Sequence, residues 1–296
     1  MNQGRFPWLV LVGILAAVIA GCGKDEGTEK PQNTAPTAWP PEGFVLVQPN
    51  TFTMGSPADE LCRFSNETQH QVTLTHSFYV STTEVTQAQW QAAMGWNESY
   101  FPGANLPVEQ VTWFDAAKYS NERSAGEGLT PAYTITGATY SGNHISGATV
   151  TWNQSANGYR LLTEAEWEYA CRAGSTTAFC NGGISQCKCE SESHLTQVGW
   201  YCGNSGNRTH DVGTKSPTAW GIYDMHGNVW EWCWDWWGYY GGPVTNPTGP
   251  SSGSYRVVRG GSWNYNARIC RSALRNGSLP DSLNGYLGFR LARTAS

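Results

Sequence analysis

From Gly174 to the C-terminus this chain shows little hydrophobic periodicity and is rich in Gly, Asn, Ser and Trp. That feature governs what it can fold into. Irregular backbone still carries its polar groups, and once buried each of them needs a partner. Side-chain hydrogen bonds, disulfides or a metal must therefore hold this half. The composition suits such a structure: 34 Gly and 15 Trp stand beside only 14% charged residues. The profile excludes a helical bundle and a disordered chain, and points to a loop-rich globular fold stapled by aromatic packing.

Cysteines supply part of the staple. Of the nine, Cys22 stands apart, leaving Cys62, Cys171, Cys180, Cys187, Cys189, Cys202, Cys233 and Cys270. An even number in an exported chain implies disulfides, but not their connectivity. A zinc knot from Cys187, Cys189, Cys180 and Cys202 is the alternative. An oxidising compartment and the lack of His at finger spacing favour cystine.

Export is read from the first residues. Arg5 precedes a short apolar run, Trp8 to Ala20, that ends in Ile19-Ala20-Gly21-Cys22. A positive start, a brief apolar stretch and small residues before a cleavage point make a secretory signal over residues 1–21. The run is too short to span a bilayer comfortably, and no later segment is apolar enough to cross. The cysteine after Ala20-Gly21 resembles the bacterial lipobox, which implies that Cys22 becomes the lipid-bearing N-terminus. Residues 22–41 are rich in Lys, Glu, Thr, Pro and Asn. They cannot bury enough surface to offset the entropy of ordering and are expected to form a disordered tether, reaching roughly 25 Å as a flexible coil.

The remaining stretch of about 255 residues has room for one large domain or two small ones. The formal charge of the whole chain is −5, so a basic footprint for nucleic acid is absent. Phe44–Val47 and Gln71–Leu74 have strand character. Three capping boxes announce helices: Thr86 with Gln89, Thr112 with Asp115, and Thr163 with Glu166. Trp90, Ala93 and Met94 follow on the first, Trp113, Ala116, Ala117 and Ser120 on the second, Trp167, Ala170 and Cys171 on the third. This spacing docks one face of each helix on a core. Residues 132–152 alternate Thr, Ile, Tyr and Val around Ser141-Gly142-Asn143, which predicts a peripheral hairpin.

An ordered series of motifs carries a family resemblance. It begins with Phe52-Thr53-Met54-Gly55-Ser56, Glu84-Val85-Thr86, and Pro107-Val108 ahead of Val111-Thr112-Trp113-Phe114-Asp115-Ala116-Ala117. It continues with Gly158-Tyr159-Arg160-Leu161-Leu162-Thr163-Glu164-Ala165-Glu166-Trp167-Glu168-Tyr169-Ala170, in which Leu162 stands where the family has Pro. Gly221-Ile222-Tyr223-Asp224-Met225-His226-Gly227-Asn228-Val229-Trp230-Glu231-Trp232, Arg259-Gly260-Gly261-Ser262 and Gly288-Phe289-Arg290 complete it. The series resembles the formylglycine-generating enzyme family over residues 42–296. The resemblance implies an α+β fold that is a C-type lectin variant, loop-rich and low in regular secondary structure.

The family's enzymes use two cysteines just after the Arg-Gly-Gly-Ser motif, because paired thiolates hold a soft copper ion. Here the first of those positions is Tyr265 and the second Cys270. With one thiol missing, the resemblance implies no catalytic residue and no required cofactor. Cys270 is then expected as a disulfide half, with Cys233 its preferred partner; closing that loop of about 37 residues is worth roughly 4 kcal/mol on the chain-entropy model. A His-rich iron site lacks its signature, and His70 and His76 stand too far apart to share a helical face. The resemblance also implies a structural calcium site from Asp224, the carbonyls of Gly227 and Val229, and Glu231, oxygen ligands of the kind calcium takes; an ordinary buried turn accepted by Glu231 is the alternative. The family's other calcium site has no clear counterpart in residues 203–211.

Residues between Trp263 and Gly288 divide into two kinds. Ala267, Arg268, Cys270, Arg271, Ser272, Ala273, Arg275, Pro280 and Asp281 are scaffold types. The others are Asn264, Tyr265, Asn266, Ile269, Leu274, Asn276, Gly277, Ser278, Leu279, Ser282, Leu283, Asn284, Gly285, Tyr286 and Leu287. Every amino acid in this second set can arise from an asparagine codon whose adenines are replaced. Lys, Glu, Gln, Met and Trp cannot, and none occurs in it. Residues 259–296 thus resemble the variable region of diversity-generating retroelement variable proteins, of the treponemal surface type. The resemblance implies ligand binding by the second set, with the ligand differing between copies. A protein or a host or microbial surface is the expected partner, and Leu279, Leu283, Tyr286 and Leu287 form an apolar contact patch. For Leu287, beside Gly288-Phe289, a core position is an equal alternative. Arg268, Arg271, Arg275 and Arg290 are expected to anchor the frame by hydrogen bonding. Display at the cell surface, on the outer membrane, follows because variable binding has use only where foreign partners are met.

The anchor is testable in the producing cell. Cys22→Ala is expected to release the domain from the membrane fraction into the soluble one. Retention of that variant on the membrane, followed by fractionation and immunoblotting, refutes a lipid at residue 22.

Overall fold

The computed structural model describes residues 40–295. Cys22, the signal sequence and most of the tether lie outside the described residues. In chain order the elements are β1 (Phe44–Val47), β2 (Asn50–Met54), β3 (His70–Leu74), β4 (Phe78–Ser81), α1 (Gln87–Met94), α2 (Trp113–Gly126), β5 (Tyr133–Ser141), β6 (His144–Trp152) and β7 (Tyr159–Arg160). The second half adds α3 (Glu164–Arg172), α4 (Ser193–Val198), β8 (Trp230–Trp236), β9 (Val244–Thr245), β10 (Arg256–Arg259), β11 (Arg275–Ser278), β12 (Leu287–Gly288) and β13 (Ala292–Thr294). No helix among the described residues is long and apolar enough to cross a membrane.

The three capping boxes form as expected. Thr86, Thr112 and Thr163 each accept from the backbone of the residue three ahead, whose side chain returns the bond. The hairpin also forms, β5 pairing antiparallel with β6 around Gly142 and Asn143. Tyr133 at its base stacks on Trp234 at 5.2 Å, which holds the hairpin against the frame.

Two four-stranded sheets, in the orders β1-β4-β13-β7 and β11-β10-β8-β12, and a three-stranded one, β2-β3-β9, organise the rest. The second falls within the half that lacked periodicity. Strand β8 reads Trp-Glu-Trp-Cys-Trp-Asp-Trp, which alternates in side-chain type but not in burial. Trp230 and Trp232 enter one core cluster with Trp90, Trp113 and Phe289. Cys233 enters the other, with Trp167, Cys171 and Met225. Val257 and Val258 divide between the same two clusters. The sheet is a wall between two cores, so its acidic residues are buried and a hydropathy pattern cannot show it.

Buried charge pairs fix the helix α3 side of that wall. Glu168 accepts from Arg172 at 2.9 Å, from Arg259 and from the Gly55 backbone N–H at 2.8 Å. Those cations hold the Glu168 carboxyl below the usual range despite its burial. Gly55 lies at φ +98, and a Cβ there would sit 2.7 Å from the carbonyl oxygens of Glu67 and Thr68, so only glycine fits.

Two disulfides are present, Cys62–Cys187 and Cys189–Cys202. They clip the loop after β2 to the long segment after α3, and that segment to itself. The expected Cys233–Cys270 bond is not made: both thiols are free. Cys233 packs among the α3 side chains. Cys270 belongs to a separate small cluster with Phe179, Leu195 and Tyr201. The two point into different cores, which sequence separation does not reveal.

The ion pair between Arg271 and Glu67, bidentate at 2.6 and 2.7 Å with neither side chain exposed, is a direct test of this frame. Glu67→Ala leaves a buried guanidinium short of its main partner and is expected to cost about 3–5 kcal/mol in urea unfolding. Arg271→Ala together with Glu67→Ala is expected to cost less than the sum of the single changes.

Candidate ligand-binding surface

The segment after β10 leaves the sheet through Gly260 and Gly261, both at positive φ, and a Cβ on Gly261 would meet the Cys270 sulfur at 2.7 Å. A 3-10 turn over Ala267–Cys270 follows, then β11, the 279–286 loop and β12. Four arginines pin this path. Arg268 donates to the carbonyls of Cys62 and Arg63. Arg271 takes Glu67 and Glu60. Arg275 takes both oxygens of Glu164. Arg290 takes both oxygens of Glu231 at 2.7 Å. All four anchor the frame, as expected.

The loop backbone is held from below. The carbonyls of Asn284, Pro280 and Tyr286 accept from the N–H groups of Gln110, Trp113 and Trp230, at 3.0, 2.9 and 2.8 Å. The Tyr265 carbonyl accepts from Cys202, and the Trp263 indole donates to the Gly285 carbonyl at 2.9 Å. A backbone fixed through its own carbonyls needs no particular side chain at these positions, so the side chains can change while the path stays.

Exposure sorts almost as the codon argument does. Thirteen of the fifteen adenine-compatible residues are exposed or half-buried, whereas six of the nine scaffold types are buried. Leu279 is 49% and Leu283 40% exposed. Two expectations are corrected. Leu274 and Leu287 are 3% and 2% exposed and belong to the main core, so they cannot touch a ligand. Leu274 follows the Arg271 turn inward, and Leu287 pairs with Trp230 on β12, where its side chain faces the tryptophan core. The apolar contact patch therefore reduces to Leu279, Leu283 and Tyr286.

Aromatic rings link the variable and fixed residues. Tyr265 meets Tyr286 at 5.8 Å and Trp230 at 5.6 Å, edge to face. Trp263, Phe101 and the exposed Tyr100 form a second edge-to-face row. Asn264, Asn276, Leu279 and Leu283 stand open to solvent. Sequence reasoning missed Tyr100, Phe101 and Glu109, which come from the loop between α1 and α2. Glu109 is fully buried beneath Gly285, with Oε1 accepting from Phe101 and Oε2 unpartnered. Burial raises its carboxyl to about 7. The Glu109-Gln110 pair beside the legible Pro107-Val108 motif was the available signal.

Comparison with known proteins bears on this geometry. The model of the sulfatase-modifying factor enzyme 1-like domain matches residues 29–295, beginning inside the segment read as tether. The chain belongs to this family. Treponema denticola variable protein 1 superposes with a TM-score of 0.75 at 33% identity, covering 85% of this chain and 95% of that one. Chaperone protein LppX of Paenibacillus barcinonensis is 34% identical over 86% of this chain and 88% of its own length. The formylglycine-generating enzyme of Streptomyces coelicolor is 37% identical, over 71% of this chain and 60% of the enzyme. The fold is the family's C-type lectin-like one, mixed α+β with few regular elements, and the resemblance to a treponemal variable protein holds.

Two family sites can be set against these side chains. At the position of the enzymes' first cysteine stands the Tyr265 ring, packed on Trp230. Cys270 is fully buried, and burial pushes its thiol up to about 12, so it carries no nucleophilic thiolate near neutrality. For calcium, Asp224 keeps one unpartnered buried oxygen, Oδ1. Glu231, however, gives both oxygens to Arg290 and one also to the Trp167 indole at 2.7 Å. Oε1 carries a single one of these bonds and keeps a lone pair that a cation could use. Among the described residues no group of three or more His, Cys, Asp or Glu side chains is placed to hold a metal.

Stability should depend on pH through Glu109 and two other groups. Burial, with Glu164 nearby, raises Asp235 to about 8. A hydrogen bond to Asp115 raises His144 despite its burial. From about pH 5 the unfolded chain has ionised its carboxyls while the native chain keeps the Glu109 proton up to about 7 and the Asp235 proton up to about 8, so native stability falls as pH rises through this window. The His144 contribution is present below its unfolded value and is lost as pH rises through its higher folded value, in the same direction. Calorimetry is expected to show a falling Tm across this window, and Glu109→Gln is expected to flatten part of the fall. A Tm that rises from pH 5 to 8 contradicts the assignment.

Proposed function

We propose that this protein is a surface-displayed lipoprotein that binds variable macromolecular ligands through residues 259–296, on a fixed lectin-type frame. The observation that carries it is the match between codon compatibility and exposure in that segment, together with a backbone pinned independently of those side chains. The shared fold with Treponema denticola variable protein 1 supports the same reading. An open, aromatic-rich surface suits a protein or a host or microbial surface better than a small molecule. Tyr265 and Tyr286 supply large contact area at low entropic cost. Asn264, Asn266, Asn276, Ser278, Ser282 and Asn284 supply adaptable hydrogen bonding, with Ile269, Gly277 and Gly285 completing the contact set. The binding activity needs no cofactor, and the acidic chain carries no nucleic-acid footprint. Lipid at Cys22 and a position on the outer membrane follow from the signal and from the use of variable binding.

An oxidase of the formylglycine-generating type is the second reading, favoured by the sequence identity to such enzymes. The missing thiol at Tyr265 and the buried thiol at Cys270 weigh against it. Oxygen uptake with a cysteine peptide and copper, abolished by Cys270→Ser, would establish the oxidase in its place.

The gene itself provides the main test. A near-copy of the codons for residues 259–296 beside a reverse-transcriptase gene, differing only where it carries adenine, is the expected finding. A lone and invariant C-terminus overturns the proposal. In the protein, Leu279→Ala, Leu283→Ala and Tyr286→Ala are each expected to change unfolding free energy by no more than about 0.5–1 kcal/mol. Leu274→Ala is expected to cost about 2–5 kcal/mol. Denaturant titration separates the two groups, and a large cost at Leu279 or Leu283 would show them to be structural.

A further inference from the structure

A cavity of about 420 Å³, lined by none of the adenine-compatible residues, lies between the start of α3, the end of β8, the 238–250 loop and Arg275. Its volume is that of a small-molecule site. The lining has two characters. Tyr239, 82% exposed, stands at the side with Trp236 and Tyr240. Glu164, Asp235 and Arg275 bring polar groups to the same space.

That polar set is built rigidly and is close to neutral. Glu164 gives both oxygens to Arg275 and accepts the Tyr240 hydroxyl at 3.0 Å. The Arg275 guanidinium also lies over the Tyr240 ring at 3.8 Å, and the His70 ring packs against it, tilted, at 4.4 Å. One Asp235 oxygen accepts the Glu164 backbone N–H at 2.9 Å. Burial keeps the Asp235 carboxyl protonated up to about 8, so it can donate as well as accept. A charged ligand would find its counter-charge already paired. A purely apolar ligand would strand carboxyl and guanidinium groups against hydrocarbon, at a cost.

The remaining chemistry is a small ring with one apolar face and hydroxyls around its edge. We propose that this cavity is a second, constant binding site for an uncharged saccharide of one or two rings, stacked on Tyr239 and hydrogen-bonded to the Asp235 carboxyl. None of its lining residues belongs to the adenine-compatible set, so every copy of the protein would carry the site whatever the adenine-compatible residues become. It does not depend on variable ligand binding and can stand or fall alone.

Saturation-transfer NMR of the full-length protein with cellobiose and with N,N′-diacetylchitobiose tests the site. The expected result is saturable transfer to the ring protons of at least one sugar. Tyr239→Ala should weaken that binding about ten-fold, the size of one lost ring contact, with its melting curve unchanged. Asp235→Asn, which keeps a neutral hydrogen-bonding group, should weaken it less than Asp235→Leu. No saturable transfer from either sugar at millimolar concentration overturns the proposal. So does binding that Tyr239→Ala leaves intact, and so does capture of a hexaproline peptide in this cavity in place of both sugars.

Discussion

Buried arginine–carboxylate pairs are the interaction on which this structure depends. Arg259 with Glu168, Arg271 with Glu67, Arg275 with Glu164 and Arg290 with Glu231 each join the irregular C-terminal third to a helix, strand or loop formed earlier in the chain. Removing charges from water is costly, and a pair of this kind is weak evidence for net stability. Its value here is geometric. Where the fork is bidentate, as at Arg271, Arg275 and Arg290, it fixes distance and direction, which a greasy contact does not. A segment without ladders or helices needs that definition at a few points along its path.

Those anchors explain how one segment can be both rigid and permissive. The arginines and the backbone amides set the course of residues 262–287, and the buried scaffold types fill the space beneath. The intervening side chains stand outside the network that positions them. The exceptions mark where the division ends: Leu274 and Leu287 fill the tryptophan core, and the cost of changing them is that of any core residue. The thiols obey the same division. Cys270 is packing beneath the surface, in a small cluster of its own, and Cys233 is packing beside α3.

The central wall of β8 and β10 links this arrangement to the family's motifs. Glu231 on β8 receives Arg290 from the C-terminal Gly-Phe-Arg segment and Trp167 from α3, so three separated motifs meet at one carboxylate. An engagement of that kind serves the frame. Arg259, at the end of β10, likewise reaches Glu168 on α3 and the carbonyls of Ser272 and Leu274. The recurrent Arg-Gly-Gly-Ser and Gly-Phe-Arg motifs are thus structural first.

Local interactions were legible in the sequence. A capping box spans four residues and a tight hairpin turn two, so Thr86, Thr112, Thr163 and Gly142 announced their elements without help from the fold. The ordered motifs made the family and its fold recognisable, and the amino-acid types of residues 264–287 separated frame from surface for all but a few positions. Only the tertiary structure decided what depends on partners distant in sequence. It paired Cys62 with Cys187 and left Cys233 and Cys270 apart, turned Leu274 and Leu287 inward, and buried the acids of β8 against arginines from elsewhere. The reason is physical. Caps and turns are settled by neighbours along the chain, whereas a disulfide, a buried charge pair or the inward face of a loop is settled by what packs across from it, and composition carries no record of that.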